Sequence, residues 1–274
     1  MVNVENRNDM RIIISYIFVV LICSWVFSFL ILSNPSIGLS MFGLVMFIPA
    51  IVAVLFNRFM FRKSIKSMFG CVFTKPTLKS MVFGIGYPLI FITTCGIIAL
   101  FFGIGHFNQR NYTLTYIIIS SIIAIFVTLI LVFGEEYGWR GYLLPKLTKV
   151  AGKTVATLIL GIVWASYHFP LVYLLAKTTG IGSPLLVATI QAIIVFFFAF
   201  AFSYTYYISN ESLIPVMFFH STWNTINVLI LGDIYTNEPG LIAGNIAVIN
   251  GEGILGLILS GILVLWFINQ LNKS

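Results

Sequence analysis

Apolar residues run along this chain in long blocks with few charges inside them, and polar residues gather in the short connections between the blocks. A helix needs about 20 predominantly apolar residues to cross the hydrocarbon core of a bilayer. By that measure the pattern predicts eight spans: Ile12–Leu32, Ile37–Phe56, Met81–Phe102, Tyr116–Phe133, Val155–Ala176, Pro184–Ile208, Leu213–Leu231 and Ile254–Ile268. The fourth runs on past its apolar stretch into Phe133-Gly-Glu-Glu-Tyr-Gly-Trp-Arg140, where two adjacent carboxylates and an arginine follow directly on the hydrocarbon block. The expected architecture is all-α, a polytopic membrane protein of about eight transmembrane helices. It reads as a single domain over residues 1–274 with a motif-bearing core at about 113–232.

Composition sharpens this picture. With 59% hydrophobic and 8% charged residues and a mean hydropathy of +1.04, the chain is too apolar for a soluble domain. The net charge of +7 does not point to nucleic acid as a partner, because the lysines and arginines sit in connections between apolar blocks and form no basic domain. That arrangement fits topology and anionic lipid. With the N-terminus inside, thirteen cations fall on the cytoplasmic side, Arg140 among them, and two, Arg110 and Lys177, fall outside. Both termini are therefore expected in the cytoplasm. The first block is long enough to span and lacks a clear small-residue cleavage site, so it reads as a retained helix.

Several features call for little chemistry. Cys23, Cys71 and Cys95 are odd in number and widely spaced, and read as packing residues. The segment from Phe59 to Phe69 mixes bulky apolar residues with cations, as expected of a short helix on the inner leaflet or of a basic connection that sets topology. His106 lies in a polar outer connection with Asn108, Arg110 and Asn111 and reads as a solvated loop histidine. The loop after the seventh block, with Asp233, Glu238 and Glu252, reads as an outer loop of no evident chemistry.

Three polar clusters lie where hydrocarbon should exclude them. In Glu135-Glu136-x-x-x-Arg140, a continued helix puts Glu136 and Arg140 on one face, while Glu135 is turned about 100° away. One carboxylate is then held ionised by arginine, and the other is free to exchange protons with water. Gly134, Gly138 and Gly141 let a second helix approach this turn closely. The second cluster, in the fifth block, sets Trp164 and His168 four apart on one face, with Pro170 just beyond. The third, in the seventh block, sets His220 and Asn224 four apart, with Asn227 a turn further on. Each alone is as readily a buried hydrogen-bonded group or an interfacial ion pair. Depth joins them: at 1.5 Å per residue, Glu135 lies about 16 Å from Lys146, His168 about 21 Å from Thr154 and His220 about 12 Å from Ser212. Contact among the fourth, fifth and seventh spans would gather all three clusters around one wet cavity reached from the cytoplasmic side.

At these clusters the sequence resembles the CAAX protease and bacteriocin-processing (Abi) family of intramembrane endopeptidases, whose pattern is E-E-x-x-x-R, F-x-x-x-H and H-x-x-x-N or D on successive helices. The resemblance covers roughly the fourth span to the seventh. It implies that Glu135 acts as general base on a water held by His168, that His220 and Asn224 donate to the oxyanion, and that Glu136 and Arg140 position the site. Preformed donors of this kind can each lower a barrier by about 3 kcal/mol. Trp164 departs from the family's phenylalanine, adding bulk and an N–H. The implied substrate is a membrane-associated peptide or protein, in peptide maturation or bacteriocin self-immunity at a bacterial plasma membrane, with no cofactor. Two other readings stay open. Glu135, His168 and His220 are a sufficient zinc set for a metalloprotease, although no H-E-x-x-H is present. The same residues would also suit a non-enzymatic immunity or scaffold protein, or a proton-coupled carrier.

Overall fold

The architecture comes from a computed structural model that describes residues 4–108 and 113–273. Arg110 and Asn111 of the outer connection lie outside the described residues. The first span is α1 (Val4–Leu32). The second is built in three pieces, α2 (Pro35–Met41), a 3-10 segment (Phe42–Phe47) and α3 (Ile48–Phe59), in which Pro49 stands in the first turn of α3, where its missing N–H costs nothing. The basic connection then folds into two single turns, α4 (Ile65–Met68) and α5 (Gly70–Phe73), so no continuous helix forms over Phe59–Phe69. The third span is α6 (Leu78–Phe101), started by Thr77, whose side chain accepts the Ser80 N–H.

The fourth span is the longest. It runs from α7 (Leu114–Glu136) through a π-helical segment (Tyr137–Leu143) into α8 (Leu144–Ala151), ending at Gly152. There follow α9 (Lys153–Thr179), closed by the left-handed Gly180, then α10 (Pro184–Tyr207) and α11 (Ile214–Leu231). The chain closes with the single turn α12 (Ile246–Ile249) and the last span, α13 (Ile254–Lys273). Among the described residues, eight helical stretches are thus long and apolar enough to cross a membrane, at the places the hydrophobic pattern predicts. At the end away from the basic connections, β1 (Gly105–Phe107) pairs antiparallel with β2 (Ile242–Gly244), with the exposed His106 opposite Ala243.

Helix α10 is the central pillar. It packs on α9, α11 and α13, while α11 also packs against α6 and α7. Helix α7 is peripheral, and turns Ile118, Ile119, Ile122, Ile123, Phe126, Val127 and Ile130 outward, a lipid-facing stripe. Its lower end is fixed by close backbone approach to the second span. A side chain at Gly134 would collide with the Met46 carbonyl and with Phe47 Cα, and one at Gly138 would collide with Pro49. The Tyr16 hydroxyl of α1 locks this junction, with the Pro49 and Gly138 carbonyls as acceptors at 3.1 and 3.0 Å.

Arg140, counted with the cytoplasmic cations for the orientation, is fully buried in the cluster where its spacing from Glu136 placed it. One expectation from the sequence needs correction here. Glu252 is not part of a solvated loop: the chain after α11 folds back over the helix ends and buries it. The three cysteines are free. Burial pushes the Cys71 thiol up, which keeps it protonated and unreactive.

Candidate active site

The site begins at the end of α7, where regular helix gives way to the π segment. Such wider turns are rare and tend to occur at functional sites. Glu136 and Arg140 still meet across it, with Arg140 Nη1 donating to Oε1 and Oε2 of Glu136 at 3.0 and 3.1 Å. Both side chains are fully buried. The guanidinium also lies over the rings of Trp164 and Phe202, 4.2 and 4.7 Å from the centroids. Among the described residues its Nε and Nη2 have no hydrogen-bond partner, and the ring faces meet the charge there. Cation–π contacts in a desolvated site contribute about 2 kcal/mol each. From α11, His220 Nδ1 donates to Glu136 Oε1 at 2.7 Å. Glu136 thus binds the π segment to α11.

Glu135 has a different environment. Its Oε2 accepts the Trp164 indole N–H at 3.0 Å and its Oε1 accepts the Tyr167 hydroxyl at 3.3 Å. Both donors come from α9, and neither is charged. Glu135 lines a cavity of about 240 Å³ together with Trp164, His168, His220 and Asn224, whereas Glu136 and Arg140 are not among its lining residues. One carboxylate therefore holds the scaffold, and the other faces open space.

The two histidines are oriented alike. His168 Nδ1 donates to the Trp164 carbonyl at 2.9 Å, one turn back on its own helix. A carbonyl can only accept, so this nitrogen carries the proton and a neutral ring presents Nε2 as an acceptor. His220 uses Nδ1 on Glu136, which likewise leaves Nε2 over. Among the described residues the Asn224 side chain has no hydrogen-bond partner and its amide faces the cavity, whereas Asn227 is engaged elsewhere, donating to Asn250 Oδ1 at 2.8 Å and accepting the Gly251 N–H at 3.0 Å. The stripe His220–Asn224–Asn227 is thus split into two jobs.

The cavity extends in a direction the sequence did not indicate. Its far end is lined by Gln191, Asp233, Tyr235 and Glu252, and its wall by Phe42 and Met46 of the 3-10 segment. These residues lie at the end of the molecule opposite the basic connections. On the basic side, Trp139, Leu143, Leu144 and Leu213 are fully buried, and none of the lining residues comes from there. The lining residues beyond the three clusters thus lie toward the end away from the basic connections.

All seven residues singled out from the sequence, Glu135, Glu136, Arg140, Trp164, His168, His220 and Asn224, come together within one neighbourhood. The N–H that Trp164 adds to the family pattern is the donor to Glu135. Tyr167, Phe202, Gln191, Tyr235 and Glu252 were not foreseen. Gln191 alone had a signal, as an amide in the middle of an apolar block. Among the described residues no three His, Cys, Asp or Glu side chains form a group able to hold a metal ion.

A carboxylate, two imidazoles and an amide thus converge on one cavity inside a bundle of helices long and apolar enough to cross a membrane. Residues 120–226, which contain all three clusters, match the family described as Rce1-like, the type II CAAX prenyl endopeptidase Rce1-like family. The match covers less than half of the chain, and over that stretch the chain is similar to this family of CAAX prenyl endopeptidases. No curated protein matches it.

Proposed function

We propose that the chain is a glutamate-dependent intramembrane endopeptidase that cleaves a membrane-associated peptide or protein without a metal cofactor. The observation that carries this reading is the division of labour between neighbouring carboxylates: Glu135 faces the cavity with His168, His220 and Asn224, while Glu136 is spent on Arg140 and His220. A water between Glu135 and His168 Nε2 would give one proton to the carboxylate as its oxygen attacks the scissile carbonyl. The resulting oxyanion would be met by the Asn224 amide and by His220, which can donate from Nε2 as an imidazolium supported by Glu136. Glu135 would then pass its proton to the amide nitrogen as the C–N bond breaks, which restores the carboxylate. Neutral donors from Trp164 and Tyr167 fix Glu135 without neutralising it. Peptide maturation or self-immunity against bacteriocins at a bacterial plasma membrane is the role that fits such an activity.

The test is proteolysis of a library of membrane-associated peptides by the purified protein. Glu135→Gln is expected to abolish cleavage, by a factor of at least about 10³ as for the loss of a principal acid–base group with its water, while chelator leaves the wild type active. Loss on chelation with recovery by zinc would replace this mechanism with the metal-dependent one. Retention of cleavage in Glu135→Gln would remove Glu135 from the chemistry.

A further inference from the structure

The hydrolytic mechanism uses one end of the cavity only. At the other end Glu252 is 8% exposed. Its Oε1 accepts the Trp223 indole N–H at 3.0 Å, and its Oε2 accepts the Gln191 amide at 2.6 Å and the Tyr235 hydroxyl at 3.1 Å. All three donors are neutral, and among the described residues no lysine, arginine or histidine forms an ion pair with Glu252. Burial and the Glu252 charge push the Tyr235 hydroxyl well above its ordinary range, so it stays a donor. The carboxylate is also held in place from behind: Asn250 Oδ1 accepts the Glu252 backbone N–H at 2.8 Å, and Asn250 Nδ2 donates to the Gly232 carbonyl at 2.7 Å. Asp233 lines the same end of the cavity.

A second feature points the same way independently of the carboxylates. Gln191 is fully buried and lines the cavity, and its amide oxygen has no hydrogen-bond partner among the described residues. Its Nε2 is committed to Glu252 and Tyr235, both at 2.6 Å, so the unmet oxygen is the acceptor left over. Buried acceptors are rarely left unmet, and buried charges are rarely left unpaired. This end of the cavity therefore offers negative charge and a spare acceptor, and among the described residues it lacks a cation that donates.

We propose that the Glu252–Gln191–Asp233 end of the cavity is a recognition subsite for a cationic group of the substrate, an alkylammonium or guanidinium carried by a basic residue or by a free peptide N-terminus. This inference rests on the endopeptidase reading of Glu135 and adds substrate selectivity to it. The spacing is compatible with one peptide filling both ends. Trp223 and Asn227, which contact Glu252 and Gly251, stand three and seven residues beyond His220 on α11, about 5 to 10 Å along the axis. An extended peptide advances about 3.3 Å per residue, which puts the cation two or three residues from the cleaved bond.

The experiment uses the full chain in lipid nanodiscs and peptides that carry lysine, or its uncharged isostere norleucine, at each position within three residues of the cleaved bond, with free or acetylated N-termini. The wild type is expected to cleave one lysine peptide at least tenfold faster, in kcat/KM, than its norleucine partner, and Glu252→Gln to bring that ratio to within twofold of one. A preference abolished by acetylation, with no effect of norleucine, assigns the subsite to the terminal ammonium. Binding of the same peptides to Glu135→Gln protein separates the two readings. A Glu252-dependent preference in binding without any cleavage by wild type leaves the subsite standing and sinks the endopeptidase. Cleavage with no charge preference does the reverse. Should Glu252→Gln fail to fold, the wild-type comparison decides alone: equal handling of lysine and norleucine peptides, in cleavage and in binding, overturns the proposal.

Discussion

Trp164 shows how much one side chain can carry. Its indole N–H reaches Glu135, its ring lies under the Arg140 guanidinium, and its carbonyl fixes the tautomer of His168. Replacing it with phenylalanine, the residue at that place in the pattern the sequence resembles, keeps an aromatic face for Arg140 and the backbone carbonyl but removes the donor to the carboxylate. A hydrogen bond to a charged group contributes about 1.5 to 3 kcal/mol. If that bond orients Glu135 in the transition state, Trp164→Phe lowers kcat by roughly 10- to 100-fold with KM nearly unchanged, read by steady-state proteolysis. A change confined to KM would mean that the indole serves substrate fit and not the carboxylate. The sequence made the departure at this position visible. It could not reveal the hydrogen bond, because the partners are 29 residues apart on different helices.

The π segment and its glycines make the corresponding argument for a whole element. Regular α-helical spacing foretold the Glu136–Arg140 pair correctly, although the turn that carries it is not α-helical. The pair survives because positions four apart stay near one face in the wider turn. Arg140 was counted with the cytoplasmic cations for the orientation, while its spacing from Glu136 placed it in the polar cluster. Its burial depends on ring faces from α9 and α10, which no local pattern encodes. Of the three glycines, Gly138 faces Pro49 backbone, whereas Gly141 faces side-chain atoms of Leu213, Tyr137 and Cys71 at 3.2 to 3.4 Å. Side chains can shift and packed backbone cannot. Gly138→Ala is therefore expected to destabilise the protein by about 1 to 3 kcal/mol, and Gly141→Ala by less. Thermal unfolding in detergent checks this, and equal losses at both positions would contradict the asymmetry.

For the molecule as a whole, the positive charges predict an orientation with the basic connections in the cytoplasm. The exposed Lys66 belongs to the basic end and the exposed Glu238 to the opposite end, beside the loop that caps the cavity. In a cysteine-free background, Glu238→Cys is expected to react with a membrane-impermeant thiol reagent in intact cells, and Lys66→Cys only after permeabilisation. The reverse pattern would invert the topology and place the far end of the cavity in the cytoplasm.

Hydrophobic block length alone gave the number and positions of the eight spans, because the bilayer leaves a chain little choice between helix and exclusion. The polar residues stranded in those blocks likewise marked Glu135, Glu136, His168, His220 and Asn224, since hydrocarbon makes every such residue conspicuous. What the linear chain left open was which carboxylate faces the cavity, which nitrogen of each histidine is free, and how Gln191 and Glu252 meet across 61 residues. Those outcomes depend on the packing of α9, α10 and α11 against the π segment and on a loop that folds back over the helix ends. They arise between elements distant in the chain, where spacing along one helix carries no information.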